Sequence, residues 1–453
     1  MNKYLRSFYF SSPYFVKCLM ATIEGYRLQN WRYSSRTEEL INNYYERETW
    51  SKNDWQIWSQ NQIDVSLNNA KKFVPFYQKY WKNKNESYDI LENWPIIKKQ
   101  DIINSPEAFI DTRFNKSDLY RDHTSGTTGS PLDIYLDKKS VTEQYALFEA
   151  RVKRKYNINF NESWAIIGSQ IIASVKRRKP PFWVDNFASS QLYLSSIHIA
   201  EWTITHYLNA FIKYQPRFLI GYTYSIFEIA KWMVENNKTF KLKAVITNAE
   251  PLYDFQKKYI GKAFDCPVVE TYGQAELVCF ANTFPDGKMY ESPEMGITEC
   301  INIQSYEDGT YGKLIATGLL NKAMPLIRYN TDDLISTKKT EDTNGALPKF
   351  NKILGRKDDV IILKDGRKIC LLDVIFTSDM NISKGQIIQE DFSSFTIKVV
   401  PTSNWKDNNK DIIRSKMLER LGNVSIEIEI CKDIKKTWAG KFRVIKSNLK
   451  QVN

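Results

Sequence analysis

The chain has 453 residues and a net charge of +12, from 64 Lys and Arg against 52 Asp and Glu, a length that allows about three folding units. An apolar fraction of 42% and an aromatic fraction of 14% can fill large cores, which excludes a disordered tail, a mini-protein and a low-complexity scaffold. The positive balance favours anionic partners (nucleotides, coenzymes, nucleic acid or a membrane surface) without choosing among them.

The first apolar stretch, Phe8 to Ile23, follows Lys3 and Arg6 in the manner of a poor signal sequence. Pro13 and Lys17 interrupt it and no small-residue cleavage site follows, so the expectation is an amphipathic surface or core helix. No run of about 18 uncharged apolar residues occurs anywhere, so no transmembrane helix is expected, and membrane-surface association stays open. Residues 1–100 are rich in Trp, Tyr, Asn and Gln and read as a mainly helical lead-in, with Leu40, Ile41, Tyr44 and Tyr45 on one face. From about 115 to 335, short apolar runs at 163–169, 243–247, 267–271 and 313–317 read as buried strands. Val141, Tyr145, Phe148 and Val152 fall at i, i+4, i+7 and i+11, one face of a helix. That alternation predicts an α/β architecture.

After about 355 the pattern changes. Val360–Leu363 and Lys368–Leu371 flank Lys-Asp-Gly, a hairpin turn. A strand at Phe395–Val400, a helix at Asp411–Leu421 stopped by Gly422, and an alternating strand at Val424–Ile430 follow. The expected division is a large domain over 1–355 and a small α+β domain over 356–453, with the boundary near Gly355–Asp358. The six cysteines form no CxxC pair and have no histidine at metal spacing, which predicts a reduced, cytoplasmic protein. The densest basic run is Lys176–Lys179.

The most informative stretch is Thr124-Ser-Gly-Thr-Thr-Gly-Ser-Pro131, before the alternating residues Leu132, Ile134 and Leu136. Its glycines allow close backbone approach, and its N–H groups and hydroxyls can cradle phosphate oxygens. It is neither a Walker A loop nor GxGxxG, and its plainer reading is a polar turn before a strand. The ordered string favours phosphate binding.

In the company of other motifs, this loop resembles that of the adenylate-forming ligases, the acyl-CoA synthetase-like superfamily. The branch it resembles most is that of phenylacetate-CoA ligases and CapK-like proteins of surface-polysaccharide loci. The resemblance implies that Thr124, Ser125, Gly126, Thr127, Thr128 and Gly129 hold the β- and γ-phosphates of ATP. Thr247-Asn-Ala-Glu250 is similar to the loop against adenine, which assigns Asn248, Ala249 and Glu250. Tyr272-Gly-Gln-Ala-Glu276 resembles the YGxxE segment, with Tyr272, Gly273 and Gln274 near adenine and Glu276 helping to hold Mg²⁺. Arg328-Tyr-Asn-Thr-Asp-Asp333 resembles RYxTGD, whose last Asp binds ribose. Gly355-Arg-Lys-Asp-Asp359 resembles GRxDD, with Arg356 on ribose and phosphate and Asp358 as the hinge. Ala439-Gly-Lys441 is similar to the C-terminal GK, whose lysine promotes adenylation. Val74–Tyr77, Trp94–Ile97 and Gly221–Ser225 also resemble this branch, so the likeness spans about residues 20 to 450.

The chemistry suits these residue types. A carboxylate attacking the α-phosphate of ATP brings two anions together. A lysine, Mg²⁺ and aimed N–H groups offset the charge that develops there and on pyrophosphate. A lysine on a mobile domain can leave afterwards and open the acyl-adenylate to a second nucleophile. Asp332 stands where the family has glycine, which puts the ribose loop's geometry in question. The region 283–290 holds no Cys or His, so no structural zinc is expected. His123 suits either a phosphate or carboxylate contact or a packed histidine. His198 and His206 have no nucleophile motif beside them.

The implied reaction is carboxylate plus ATP giving acyl-AMP and pyrophosphate, then acyl transfer. The CapK-like resemblance points to an amine acceptor and an amide in surface polysaccharide synthesis. The phenylacetate-ligase resemblance points instead to the thiol of coenzyme A. Tyr222, Tyr224 and Ala249 are placed near the acyl group by position alone. A non-catalytic nucleotide- or nucleic-acid-binding protein is the reading from another class, but no nucleic acid is expected, because no RRM, OB or KH signature appears. Oligomeric state is not set by the sequence.

Overall fold

The computed structural model describes residues 3–123, 132–168, 170, 172–174, 177–306, 309–336, 347–350, 353–356, 361–364, 368–369, 376, 382–401, 405–435 and 443–449. The chain divides into two compact units. The first takes Met1–Thr298, Ala316–Tyr329 and Glu341–Phe350, and the second takes Glu299–Ile315, Asn330–Thr340 and Asn351–Asn453.

The first unit opens with helices α1 (Lys3–Ser11), α2 (Tyr14–Arg32), α3 (Thr37–Arg47), α4 (Lys52–Phe73), α5 (Pro75–Trp81) and α6 (Lys99–Asn104). Pro13 separates α1 from α2, so the expected single N-terminal helix is two. Proline fixes φ and has no N–H to donate, which explains the break. Ser51 caps α4 through a reciprocal pair with Asp54, a capping box that satisfies two otherwise unpaired donors. Ile41 and Tyr44 of α3 are buried, as their spacing predicts.

Strands β1 (Tyr120–His123) and β2 (Asp133–Leu136) pair antiparallel on either side of the sequence that carries the Ser/Thr/Gly loop. Helix α7 (Lys138–Phe148) follows, with Asp137 capping it, and its line continues as a π-helical turn over Glu149–Lys153. The main sheet is then built from β3 (Trp164–Gly168), β4 (Trp183–Asn186), β5 (Gln191–Ser195), β6 (Phe218–Tyr222), β7 (Ala244–Asn248), β8 (Val268–Gly273), β9 (Phe280–Thr283) and β10 (Met289–Glu291). Its order is β10-β9-β8-β7-β6-β3-β5-β4. The run β8-β7-β6-β3-β5 is parallel, and β4, β9 and β10 add antiparallel strands at the two sides. Helices α8 (Glu201–Tyr214), α9 (Thr223–Glu235) and α10 (Asp254–Phe264) connect the parallel strands from β5 onward. All five residues of β6 are buried, as are Ala244–Thr247 of β7, the continuous apolar run expected of strands covered on both faces. The chain leaves β3 toward β5 on one side and β6 on the other, the switch-point arrangement at whose carboxyl edge doubly wound sheets bind ligands.

A second sheet has the order β11 (Gly296–Tyr306), β12 (Gly309–Gly318), β13 (Tyr329–Ser336), β14 (Ile353–Arg356). The short pair β15 (Ile361–Ile362) and β16 (Lys368–Ile369) is antiparallel, the hairpin expected around Lys-Asp-Gly. The last sheet is β19-β18-β17-β20, from β17 (Ile382–Gln389), β18 (Ser394–Pro401), β19 (Ser425–Ile430) and β20 (Ile445–Ser447). Helix α11 (Asn408–Leu421) lies between β18 and β19 and ends at Gly422, whose φ of 78° and N–H to the Leu418 carbonyl close it in the left-handed region. Ile387, Phe395, Ile397, Val399, Ile413 and Met417 form this module's own core. The α/β class with a C-terminal α+β module is thus the observed architecture.

Candidate active site

The parallel run sets three adjacent strand ends side by side. Tyr222 at the end of β6 stands in register with Asn248 at the end of β7, and the Thr271 hydroxyl of β8 donates to the Thr247 carbonyl at 2.8 Å. Asn248, Ala249, Glu250, Tyr272, Gly273 and Gln274 therefore meet at one carboxyl edge of the sheet. This is the switch-point edge, where a ligand can reach backbone groups past the strands.

Each loop is held by its own hydrogen bonds. Ala249 has a φ of +62°, a left-handed turn that redirects the chain. Glu250 then accepts from the backbone N–H of Tyr224 at 2.8 Å, and its carbonyl accepts from the Thr223 hydroxyl at 3.0 Å. Its carboxylate is thus spent on the first turn of α9, where an anion meets the positive end of the helix. Gly221 lets β6 approach β3, because a Cβ there would stand 2.3 Å from the Ile167 carbonyl oxygen. Tyr272 stacks on Phe350 with ring centroids 5.2 Å apart, and its hydroxyl bonds the Gln274 amide. Cys279 Sγ donates to the same amide's oxygen at 3.1 Å.

Glu276 is buried, at 8% exposure, and its Oε1 accepts from the Tyr329 hydroxyl at 2.8 Å. Tyr329 is placed in turn by the residue before it. Arg328 has a φ of +52°, and its N–H donates to Thr317 Oγ1 at 3.0 Å. Its guanidinium donates to the Trp94 carbonyl at 3.0 Å, while the Ile97 N–H donates to the Arg328 carbonyl at 3.0 Å. Tyr77 closes the brace: its hydroxyl accepts from the Ile327 N–H at 3.0 Å, and its ring meets Trp94 edge-on at 5.1 Å. The segments Val74–Tyr77 and Trp94–Ile97 therefore act on the site from behind, through Arg328 and Tyr329. Sequence reasoning missed Tyr329. Its only signal was membership of the Arg328–Asp333 string.

In the second unit, Asp333 stands directly opposite Arg356 across the antiparallel pair β13–β14. The Asp333 N–H donates to Thr331 Oγ1 at 3.2 Å, and that hydroxyl donates to the Leu314 carbonyl at 2.9 Å. Asp332 adopts a φ of +61°, the conformation glycine would take there. Two bonds to Asn330 hold it, one from the Asn330 amide to Oδ1 at 2.9 Å and one from the Asp332 N–H at 3.1 Å. Aspartate tolerates this region better than most residues, so the loop keeps its turn without the glycine. Thr124, Ser125, Gly126, Thr127, Thr128, Gly129, Asp358 and Lys441 lie outside the described residues.

Other groups are accounted for structurally. His198 is buried against Phe182, bonded to Ser195 Oγ at 2.7 Å and to the Ser174 carbonyl at 3.0 Å. Burial pushes the Cys266 thiol up to about 12 and raises Cys18 and Cys300, which leaves them poor nucleophiles. Among the described residues no three His, Cys, Asp or Glu side chains are grouped to hold a metal ion. A lone carboxylate such as Glu276 suits Mg²⁺, which keeps several waters and is carried largely by substrate phosphates.

Comparison with known proteins agrees with this fold. Residues 361–448 match the family model for the CapK C-terminal domain. The chain is 27% identical over 461 residues to Protein CapK of Staphylococcus aureus, covering 98% of this chain and all of that one. Along its whole length it is similar to a CapK protein, and its C-terminal part matches the CapK C-terminal domain. This CapK-like chain is also 29% identical over 135 residues to phenylacetate-coenzyme A ligase of Pseudomonas putida, 27% of this chain and 29% of that enzyme. Its fold matches 2-hydroxyisobutyryl-CoA ligase bound to R3-HIB-AMP in the postadenylation state, with a TM-score of 0.69 at 15% identity, over 89% of this chain and 91% of that one. No described helix of the CapK-like chain is long and apolar enough to cross a membrane.

Proposed function

We propose that this chain activates a small carboxylic acid with ATP as acyl-AMP, releasing pyrophosphate, and passes the acyl group to an amine, forming an amide in surface polysaccharide synthesis. The observation that carries the reading is the convergence of Thr247–Glu250 and Tyr272–Glu276 at neighbouring ends of parallel strands, with Glu276 buried and fixed by Tyr329. The purine lies against Asn248, Ala249 and Tyr272 and is flanked by Gly273 and Gln274. Glu276 holds Mg²⁺, which offsets charge on the phosphates when bound. Residues 124–129 cradle the pyrophosphate, Asp333 and Arg356 hold the ribose, and Lys441 supplies the cation at the α-phosphate. Residues 356–453 form the mobile domain, pivoting at Asp358, over a large domain of 1–355. The cysteine usage supports a cytoplasmic setting.

The second reading is capture by the thiol of coenzyme A. It is favoured by the local identity to phenylacetate-CoA ligases and by the fold shared with a CoA ligase.

Carboxylate-dependent ATP–pyrophosphate exchange, run over aryl, hydroxy, amino and uronic acids, tests the first half-reaction. Exchange with one acid is expected, falling at least about a hundredfold in Lys441→Ala, the scale of losing one preorganised charge-stabilising group. Exchange that survives the substitution removes Lys441 from its role, and no exchange with any acid removes the activity. Adding an amino sugar or CoA to the active acid then decides the acceptor.

A further inference from the structure

Helix α2 is docked by one face and apolar on the other. Cys18 packs with Ile172 and Val184, Tyr14 donates to Asp185 at 3.0 Å, and the Phe187 N–H donates to Thr22 Oγ1 at 3.1 Å. Gly25 sits so close to Asn186 that a Cβ would fall 2.2 Å from its side-chain oxygen. These contacts hold the helix along the β4 side of the sheet and leave it no freedom to turn its outer face inward. That face carries Phe15, Leu19, Ile23 and Tyr26, at i, i+4, i+8 and i+11, within an arc of about 80°. All four are between 56% and 71% exposed. Phe8 of α1 and Phe187, on the turn bonded to Thr22, are exposed to the same degree. Scattered exposed apolar residues need no account, but an ordered row on a rigid helix marks an interaction surface.

The charges around the row choose its partner. The chain carries a net charge of +12, while the cations of α2 itself are engaged: Lys17 is buried with its ammonium on the Phe10 carbonyl, Arg27 pairs with Glu24 and Arg32 lies over the Tyr145 ring. Arg177 adds its charge close to Lys17, and Arg178 and Lys179 beside it are exposed. An apolar stripe on a chain of net positive charge, with exposed cations at Arg178 and Lys179, fits an anionic bilayer surface, where aromatic and aliphatic side chains enter the headgroup boundary and Lys and Arg meet phosphates. A second copy of this chain would set the same cations against one another. Nucleic acid would leave the stripe unburied.

We propose that the outer face of α2, with Phe8 and Phe187, docks the protein peripherally on anionic lipid. The helix lies on the surface and does not span it, since no described helix is long and apolar enough to cross. This proposal stands apart from the adenylation reading and survives its failure.

The test is flotation of the full chain with vesicles of phosphatidylcholine alone and of equimolar phosphatidylcholine and phosphatidylglycerol. Binding to the anionic vesicles, weakened by salt, is expected. The combined substitutions Phe15→Ser, Leu19→Ser and Ile23→Ser should lower partitioning roughly tenfold or more with the melting temperature unchanged. Arg178→Glu with Lys179→Glu should lower it by a similar factor at low salt. Absence of binding to both vesicles, equal binding to both, or full binding by the triple variant overturns the proposal. So does a dimer in sedimentation velocity that the triple variant abolishes while neither protein floats, since the face would then join two copies.

Discussion

Tyr329 shows how a single hydroxyl can govern a carboxylate it does not replace. Its bond to Glu276 is buried, and removing it frees the acceptor to rotate. Tyr329→Phe keeps the ring and the Thr317 and Trp94 brace but removes a donor from the buried Glu276 carboxylate, so the expected stability loss is about 1–3 kcal/mol. Under the proposed roles, pyrophosphate exchange should fall about tenfold and the Mg²⁺ concentration for half-maximal rate should rise, with the acid's KM unmoved. An unchanged Mg²⁺ dependence would separate Tyr329 from the role proposed for Glu276. At this scale the motif strings were legible, and the roles given to their residues are proposals. Tyr272, Glu276 and Asp333 were named from their strings, and the structure sets Tyr272 and Glu276 in one unit. What Tyr329 does was not legible, because its partner lies 53 positions away and a tyrosine in a motif reads equally well as packing. Asp332 is the opposite case. The sequence showed that glycine was missing, and only the backbone shows that aspartate adopts glycine's angle there.

Among the elements, the π-helical turn after α7 carries an ionic network that no periodicity could reveal. Arg151 is fully buried, donates to the Tyr44 carbonyl at 2.8 Å and to Glu294 at 2.8 Å, and also meets Glu48. Beside it Lys153 binds Glu149 at 2.6 Å, and Tyr33 donates to the same carboxylate. The network ties α2, α3 and the Glu294 segment to one turn. Arg151→Ala leaves Glu294 buried with Arg47 3.9 Å away as its remaining cation, and should cost about 3–5 kcal/mol in urea unfolding. Arg151→Met combined with Glu294→Met should recover most of that loss, because the cost lies in the stranded charge. A double variant as unstable as the single one would place the cost in packing. Strands β3, β7 and β8 were readable as bounded apolar runs. Strand β6 was not, since Phe218–Tyr222 runs straight into α9 and a short apolar run does not distinguish strand from helix.

Over the whole molecule, stability should carry the imprint of one buried acid. Burial raises Glu291 from 4.5 to about 7, against a bond from Thr298 that lowers it. The folded chain therefore holds this proton more tightly than the unfolded chain does. As pH rises from 4.5 to 7 the unfolded state ionises first, so this group's contribution falls across that window and stays low above it. Glu291→Gln should flatten that fall, and its melting temperature should exceed the parent's at pH 8 while approaching it near pH 5. Parallel curves for the two proteins from pH 5 to 8 would remove Glu291 as the source.

The division of the chain into interleaved units bears on how it is made. The first unit needs residues 341–350, and the second draws on residues 299–315 and 330–340. The first unit is incomplete until about residue 350 has left the ribosome and the second until the end of the chain has, although every strand of the main, largely parallel sheet lies within 164–291. Such sheets are slow to form because their contacts join distant residues. A fragment beginning at 356 would in turn be released without two segments of its own unit. The interleaving thus makes this chain a poor candidate for expression in halves.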